Sequence, residues 1–338
     1  MTAGRVVFIG AVHEAMNALA AVAHHPEVEL SGVVTLSPEL AANTSGVADI
    51  AGAARDLGLS PLLVEDVNAP SVVEHIQNLA PDLLVVVGWT RLIGVTLLQV
   101  PTMGCVGFHA SLLPKNRGRA PVNWAIIRGE SSTGNTMMLL DAGVDSGLIV
   151  DQRRVDITPD DTCQSVYERI ATAGADMLRD NLGPLLRGEA SLVRQDESSA
   201  NMLPKRVPDM GVTDWTRSAQ EIHDWVRGQT LPYPGAFTHF GGRRLMLWSS
   251  SLPAAPARGT LDGEAGEVIG LSDEGFHVQT GEGRILISSV SWAGQAPAPA
   301  VDWARAAHLR RGDRFDLPPE DHVLWSLGAG PRPVEMLP

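Results

Sequence analysis

Apolar and polar positions alternate between two periods along the first half of the chain. "RVVFIG" (Arg5 to Gly10) is a short β-branched run closed by a glycine, which predicts a buried strand. "VHEAMNALAAVAHH" is rich in helix formers and apolar along one side, so it predicts an amphipathic helix. The same alternation continues: "ELSGVVTL" is a strand, "VADIAGAARDLG" a helix stopped by Gly58, "PLLVEDVN" extended, and "PSVVEHIQNLA" a helix opened by Pro70. "DLLVVVGW" is apolar on both faces, as a central parallel strand must be. "GCVGFHAS" is another strand, "APVNWAIIRG" a helix and "TGNTMMLL" a strand. The pattern predicts a doubly wound α/β domain over residues 1–190. "DTCQSVYERIATAGADMLRDNLGPLLRG" reads as its closing helix, with a possible break at Gly183-Pro184.

Beyond that helix the pattern changes. Residues 191–212 lack periodicity and contain Pro204 and Pro208, so they read as a linker. "SAQEIHDWVRG" predicts a helix, with Ser218 and Glu221 at capping-box spacing. "FTHFGGRRLMLWSS", "GEVIGLSDEG", "FHVQTGEG" and "RILISSVSW" are short strands separated by glycine-containing turns, which predicts a small barrel or sandwich over 213–316. "SLPAAPARGTLDGEAG" is a low-complexity loop within it, and residues 317–338 read as a Pro-rich surface tail.

Composition narrows the function classes. The chain has 338 residues and 44% hydrophobic content, enough for two domains with real cores. Its net charge of −13 argues against general polyanion binding and makes nucleic acid an unfavoured partner. Cys105 and Cys163 are too few for a disulfide framework. "MTAGRVVFIG" lacks the features of a signal peptide, and no apolar run approaches the ~20 residues of a membrane span. The expectation is a cytoplasmic protein with no membrane partner; the oligomeric state is not legible.

Common chemical motifs are missing. There is no G-x-G-x-x-G after the first strand, no P-loop, no H-E-x-x-H and no paired C-x-x-C, so a dinucleotide, nucleotide or zinc site is not expected. "DAGVDSG" begins like a calcium loop, but Gln152 stands where the closing glutamate would be. Ser111 lacks a nucleophile-elbow setting.

Three stretches remain. In "GCVGFHAS", side-chain alternation puts Cys105, Gly107 and His109 on one face, with His109 where the strand ends. Ligands of α/β sheets bind at that end, and an imidazole there can exchange protons near neutral pH; a backbone-bonded packing histidine is the plainer reading. "SLLPKNRGRAP" sets Lys115, Arg117 and Arg119 in a proline- and glycine-fixed loop able to receive an anion, or simply to stay solvated. "LLDAGVDSGLIV" holds Asp141 and Asp145 in a loop where a carboxylate could support an imidazole or merely shape a turn.

Taken together, "FHASLLPKNRGRAPVNWAIIRGESSTGNTMMLLDAGVDSGLIV" closely resembles the signature region of the formyltransferases that use 10-formyltetrahydrofolate. "KRVPDMGVTDWTRSAQEIHDWVRGQTLPYPGAFTHFGGRRLMLW" resembles the C-terminal region of its two-domain members. The resemblance implies a Rossmann-like α/β formyltransferase domain followed by a small open β-barrel. It implies His109 and Asp145 as catalytic residues, with no metal. It places Val87, Gly88, Trp89, Leu92 and Ile93 in the loop lining the folate pocket, with Asp141, Gly143 and Val144 contacting the pterin, and matches Ser111 to the family's loop serine. One position departs: the family has asparagine, an oxyanion donor, where this chain has Gly107. Such a donor is typically worth ~3 kcal/mol of barrier.

The family's tRNA-modifying members carry a basic insertion after the second strand. Here "SPELAANTSGVADIAG" has no Lys or Arg before Arg55. That favours a small amine acceptor: a nucleotide-linked amino sugar, or an amino-acid-derived amine such as hydroxyornithine. The alternatives are a formyltetrahydrofolate hydrolase, a methionyl-tRNA formyltransferase, and a folate-binding homologue impaired by Gly107.

Overall fold

The computed structural model describes residues 3–253 and 263–334. Most of the expected low-complexity loop and the last four residues of the expected tail lie outside them. The chain divides into two compact units. The first comprises 1–121, 132–156 and 165–202; the second comprises 122–131, 157–164 and 203–338.

The first unit is built on a seven-stranded sheet. Its strands β1 (Gly4–Gly10), β2 (Val28–Leu36), β3 (Leu62–Val64), β4 (Leu83–Val87) and β5 (Cys105–His109) run parallel in the order β3-β2-β1-β4-β5. Two further strands, Ser132–Leu139 and Ile149–Asp156, extend the sheet beyond β5 and are antiparallel. The expected doubly wound sheet is therefore parallel only as far as β5. Only the last step, through residues 140–148, is a direct reversal; the chain from β5 to Ser132 passes through the helix Pro121–Ile127.

β4 is buried at every residue, and β1 is buried from Val6 to Gly10, because apolar layers cover both sheet faces. One layer joins Val6, Phe8, Val85, Val87 and Val106 to helix α1 (Glu14–Ala23) and to the helix Cys163–Leu186. The other joins Val7, Ile9, Leu84, Val86 and Cys105 to the helix Pro70–Asn78. β5 obeys the alternation read from sequence. Val106 and Phe108 pack into the first layer, and Cys105 into the second. The helix Cys163–Leu186 runs through Gly183-Pro184 without the break its sequence allowed. The proline falls in its last turn, where the lost N–H and ring crowding disturb few remaining bonds.

The second unit holds an antiparallel sheet whose strands follow the order Ala236–Phe240, Arg243–Ser251, Arg284–Trp292, Gly275–Gln279, Val268–Ser272, with Ala298–Pro299 added at Arg284–Trp292. The end strands do not pair with each other, so this is an open barrel-like sheet. Phe276, Phe315, Trp303 and Phe240 form its aromatic core. The helix Ala219–Arg227 carries the expected capping box: Ser218 accepts from the Glu221 N–H, and the Glu221 carboxylate accepts from the Ser218 N–H at 3.0 Å. The expected tail contains a helix, Glu320–Ser326, anchored by buried His322. No described helix is long and apolar enough to cross a membrane.

Candidate active site

β5 delivers His109 at its carboxyl end, and two loops close on it. The first is the residue run that follows β5. Ser111 Oγ donates to the Lys115 carbonyl at 2.7 Å, and Thr136 Oγ1 donates to the Ser111 carbonyl at 2.6 Å. Ser111 is thereby buried as a loop clamp. The tightened loop brings the Asn116 carbonyl to 2.7 Å from His109 Nε2. A carbonyl can only accept, so Nε2 carries a proton and the lone pair of the neutral ring lies on Nδ1.

The second loop follows Ser132–Leu139. That strand is antiparallel to β5, so it ends beside the start of β5, and residues 140–147 fold back over the face that carries Gly107 and His109. The return is tight at Gly147, where any β-carbon would collide with the Leu139 carbonyl. Asp141 pins the turn by accepting from Gly143 N and Ser146 Oγ, both at 2.9 Å. Asp145 then reaches His109: Oδ2 lies 3.5 Å from Nδ1. That is ion-pairing distance rather than a good hydrogen bond. The same Oδ2 accepts from the Gly118 N–H at 2.8 Å, so the carboxylate is fixed before the imidazole is charged. His109 is only 7% exposed, where such a counter-charge is weakly screened.

Asp145 sits at φ +53°, a left-handed conformation that costs a non-glycine residue roughly 1 kcal/mol or more. A residue that the sequence reading assigned to a linker holds it there. Buried Gln195 donates from Nε2 to the carbonyls of Asp145 and Gly147, both at 2.8 Å. Its Oε1 accepts from Arg117 Nε at 3.1 Å and Nη2 at 2.7 Å, and Glu197 takes Nη1 and Nη2 of the same guanidinium. Arg117 is a buried strut joining the two loops, with Nε, Nη1 and Nη2 each donating to Gln195 or Glu197. Lys115 and Arg119 are exposed, and Arg119 donates to the Thr90 carbonyl at 3.2 Å.

The position that departs from the family is closed. A β-carbon on Gly107 would lie 2.9 Å from Leu140 Cγ, with the branch methyls closer or nearby. Leu140 therefore fills the direction in which a side chain at 107 would point. Leu140, Trp89 and Ile93 pack against one common apolar layer, the layer that holds Cys105. Trp89 Nε1 is buried there with no hydrogen-bond partner among the described residues. A cavity of about 350 Å³ lies along the Asp141 loop, lined by Leu140, Asp141, Ser146 and Gln195. Gly143 and Val144 are exposed at the loop tip, and Leu92 is exposed, with its carbonyl accepting from Asn68 Nδ2 at 3.0 Å. Val87 and Gly88 do not join this group; they line a small cavity behind β5. No cluster of three or more candidate metal ligands occurs among the described residues.

The sheet thus carries an imidazole and a loop carboxylate paired at a strand's carboxyl end, where ligands of α/β folds bind. Comparison with known proteins makes the class specific. Residues 5–182 match the model "Formyl transferase", and residues 207–308 match "Formyl transferase, C-terminal domain". The chain belongs to the formyl transferase family. It is 37% identical over 257 residues to a methionyl-tRNA formyltransferase of Geobacter sulfurreducens, covering 76% of this chain and 78% of the relative. A Helicobacter canadensis N-formyltransferase, solved with folinic acid and dTDP-3-aminofucose, superposes with TM-score 0.63 at 16% identity, over 85% of this chain and 99% of that one. HypX of Aquifex aeolicus, solved with tetrahydrofolic acid, superposes with TM-score 0.61 at 19% identity, over 90% of this chain; the match spans 47% of HypX. At these identities the solved structures establish the shared fold.

Proposed function

We propose that this enzyme moves the formyl group of 10-formyltetrahydrofolate onto an amino group. The observation that carries this reading is the fixed pair: His109 Nδ1 faces Asp145 Oδ2 while Nε2 is tied to the Asn116 carbonyl. The folate supplies the formyl carbon and a nitrogen leaving group. An attacking amine must lose a proton, and the leaving nitrogen must gain one. His109 Nδ1 takes the first proton and returns it, and Asp145 balances the imidazolium charge in between. Leu140, packed over Gly107, is an apolar group two residues along the strand from His109, and it shares an apolar layer with Trp89 and Ile93 that suits a flat ring.

Two acceptor classes have support. The sequence relatives favour methionyl-tRNA, and this is the better-backed reading. The −13 charge and the missing basic residues between Ser37 and Ala54 favour a small amine. The test is formyl transfer from 10-formyltetrahydrofolate to methionyl-tRNA and to a panel of nucleotide-linked amino sugars and hydroxylated amino acids. Transfer to either class supports N-formylation and selects the acceptor. Formate release that no amine diverts would instead identify a hydrolase.

A further inference from the structure

Behind β5, on the face away from His109, the first unit has a small, partly open cavity at the carboxyl ends of the strands. Glu14, Phe108, Asn135, Val87, Ile170 and Ala171 are among its walls. Phe108 and Ala110 face into it, while His109 between them points to the opposite side. Its volume is about 90 Å³. With ~30 Å³ per liquid water, it has room for a small polar head with a short stem.

The polar side-chain atoms on these walls are nearly all acceptors. Asn135 is 4% exposed, and its amide is oriented by Nδ2, which donates to the Ile170 carbonyl at 3.0 Å. Its Oδ1 is buried with no partner. A buried amide oxygen left unpaired has lost its water without a replacement, so a donor is called for. Glu14 brings a carboxyl group from the first turn of α1 to the same cavity. Burial pushes that carboxyl up from its ordinary range, against the smaller opposing pull of its own backbone N–H and of His13. No wall side chain offers an uncommitted donor to either oxygen. The remaining walls are an aromatic ring and aliphatic groups, which suit a carbon stem and add a π face for a cation.

We propose that this cavity is a binding site for the ammonium end of a primary alkylamine, with Glu14 as its counter-charge and Asn135 Oδ1 as a second acceptor. The site is separate from the His109–Asp145 pair and does not depend on formyl transfer, so binding alone reports on it.

The test is ligand-observed NMR on the full chain with n-propylammonium and, as an uncharged isostere, propan-1-ol. Propylammonium should bind, with propan-1-ol about tenfold weaker or worse, as expected for losing a charge-assisted hydrogen bond. Glu14→Gln should weaken propylammonium by a similar factor. It should not lower the melting temperature, because above its raised pKa the folded state bears the cost of the buried charge and glutamine removes that cost. Ala171→Leu, which fills the cavity without touching its charges, should abolish binding. Equal binding of the alcohol, unchanged binding in Glu14→Gln, or occupancy by water or an alkali cation with no response to propylammonium would overturn the proposal.

Discussion

His109 and Gly107 lie two residues apart on the same face of β5, yet they have opposite fates. Around His109 the fold invests two loops, a backbone carbonyl, a fixed carboxylate and a buried glutamine–arginine strut. Around Gly107 it places an aliphatic side chain, Leu140. The contrast is between a titratable pair held on every side and a position two residues away that meets only apolar packing. Each substitution below attacks one side of that contrast.

The largest effect belongs to the histidine. His109→Ala should reduce kcat by about 10²–10⁴-fold, the usual worth of a positioned acid–base group, with folate binding retained. Steady-state transfer assays and folate titration check this. Asp145→Asn keeps an acceptor for the Gly118 N–H but removes the counter-charge, and should cost about 10²-fold or more in kcat.

Next comes the glycine side. Gly107→Asn alone must displace Leu140 and should destabilise the protein by about 1–3 kcal/mol through overpacking. Adding Leu140→Ala should restore much of that stability and give the introduced amide room to act as a donor, raising kcat above that of either single variant. A double-mutant cycle in melting and kcat measures the coupling; additive effects would show that Leu140 is not what closes the position.

Gln195→Leu should cost about 2–3 kcal/mol, because it removes the Oε1 acceptor of buried Arg117 and releases the Asp145 loop. Chemical denaturation and the accompanying drop in kcat check this together. The smallest effect is expected at exposed Lys115, where Lys115→Ala should change stability by less than about 0.5 kcal/mol. A selective rise in acceptor KM in that variant would show that the lysine meets an anionic acceptor.

The legible parts of the site were those fixed by local pattern. Period-two alternation placed Cys105, Gly107 and His109 on one face, and glycine spacing marked the loop that carries Asp141 and Asp145. The capping-box pair Ser218 and Glu221 was equally local. The parts that sequence reading missed depend on contacts between distant segments. Gln195 has no motif of its own, and lies 50 residues from the Asp145 carbonyl it holds. Arg117 looks like any loop cation until Gln195 and Glu197 surround it. Leu140 reads as the end of an apolar strand, and nothing in its sequence setting says that it covers Gly107. Charge patterning favours a small acceptor, whereas the curated relatives are methionyl-tRNA formyltransferases.

The central claim is that His109 and Asp145 act as one proton-handling unit. Its most direct test compares kcat for His109→Ala, Asp145→Asn and the double variant under saturating 10-formyltetrahydrofolate and acceptor. Strong non-additivity is expected, with the double variant about as slow as His109→Ala alone. Multiplicative losses, or a double variant that retains wild-type turnover, would contradict it.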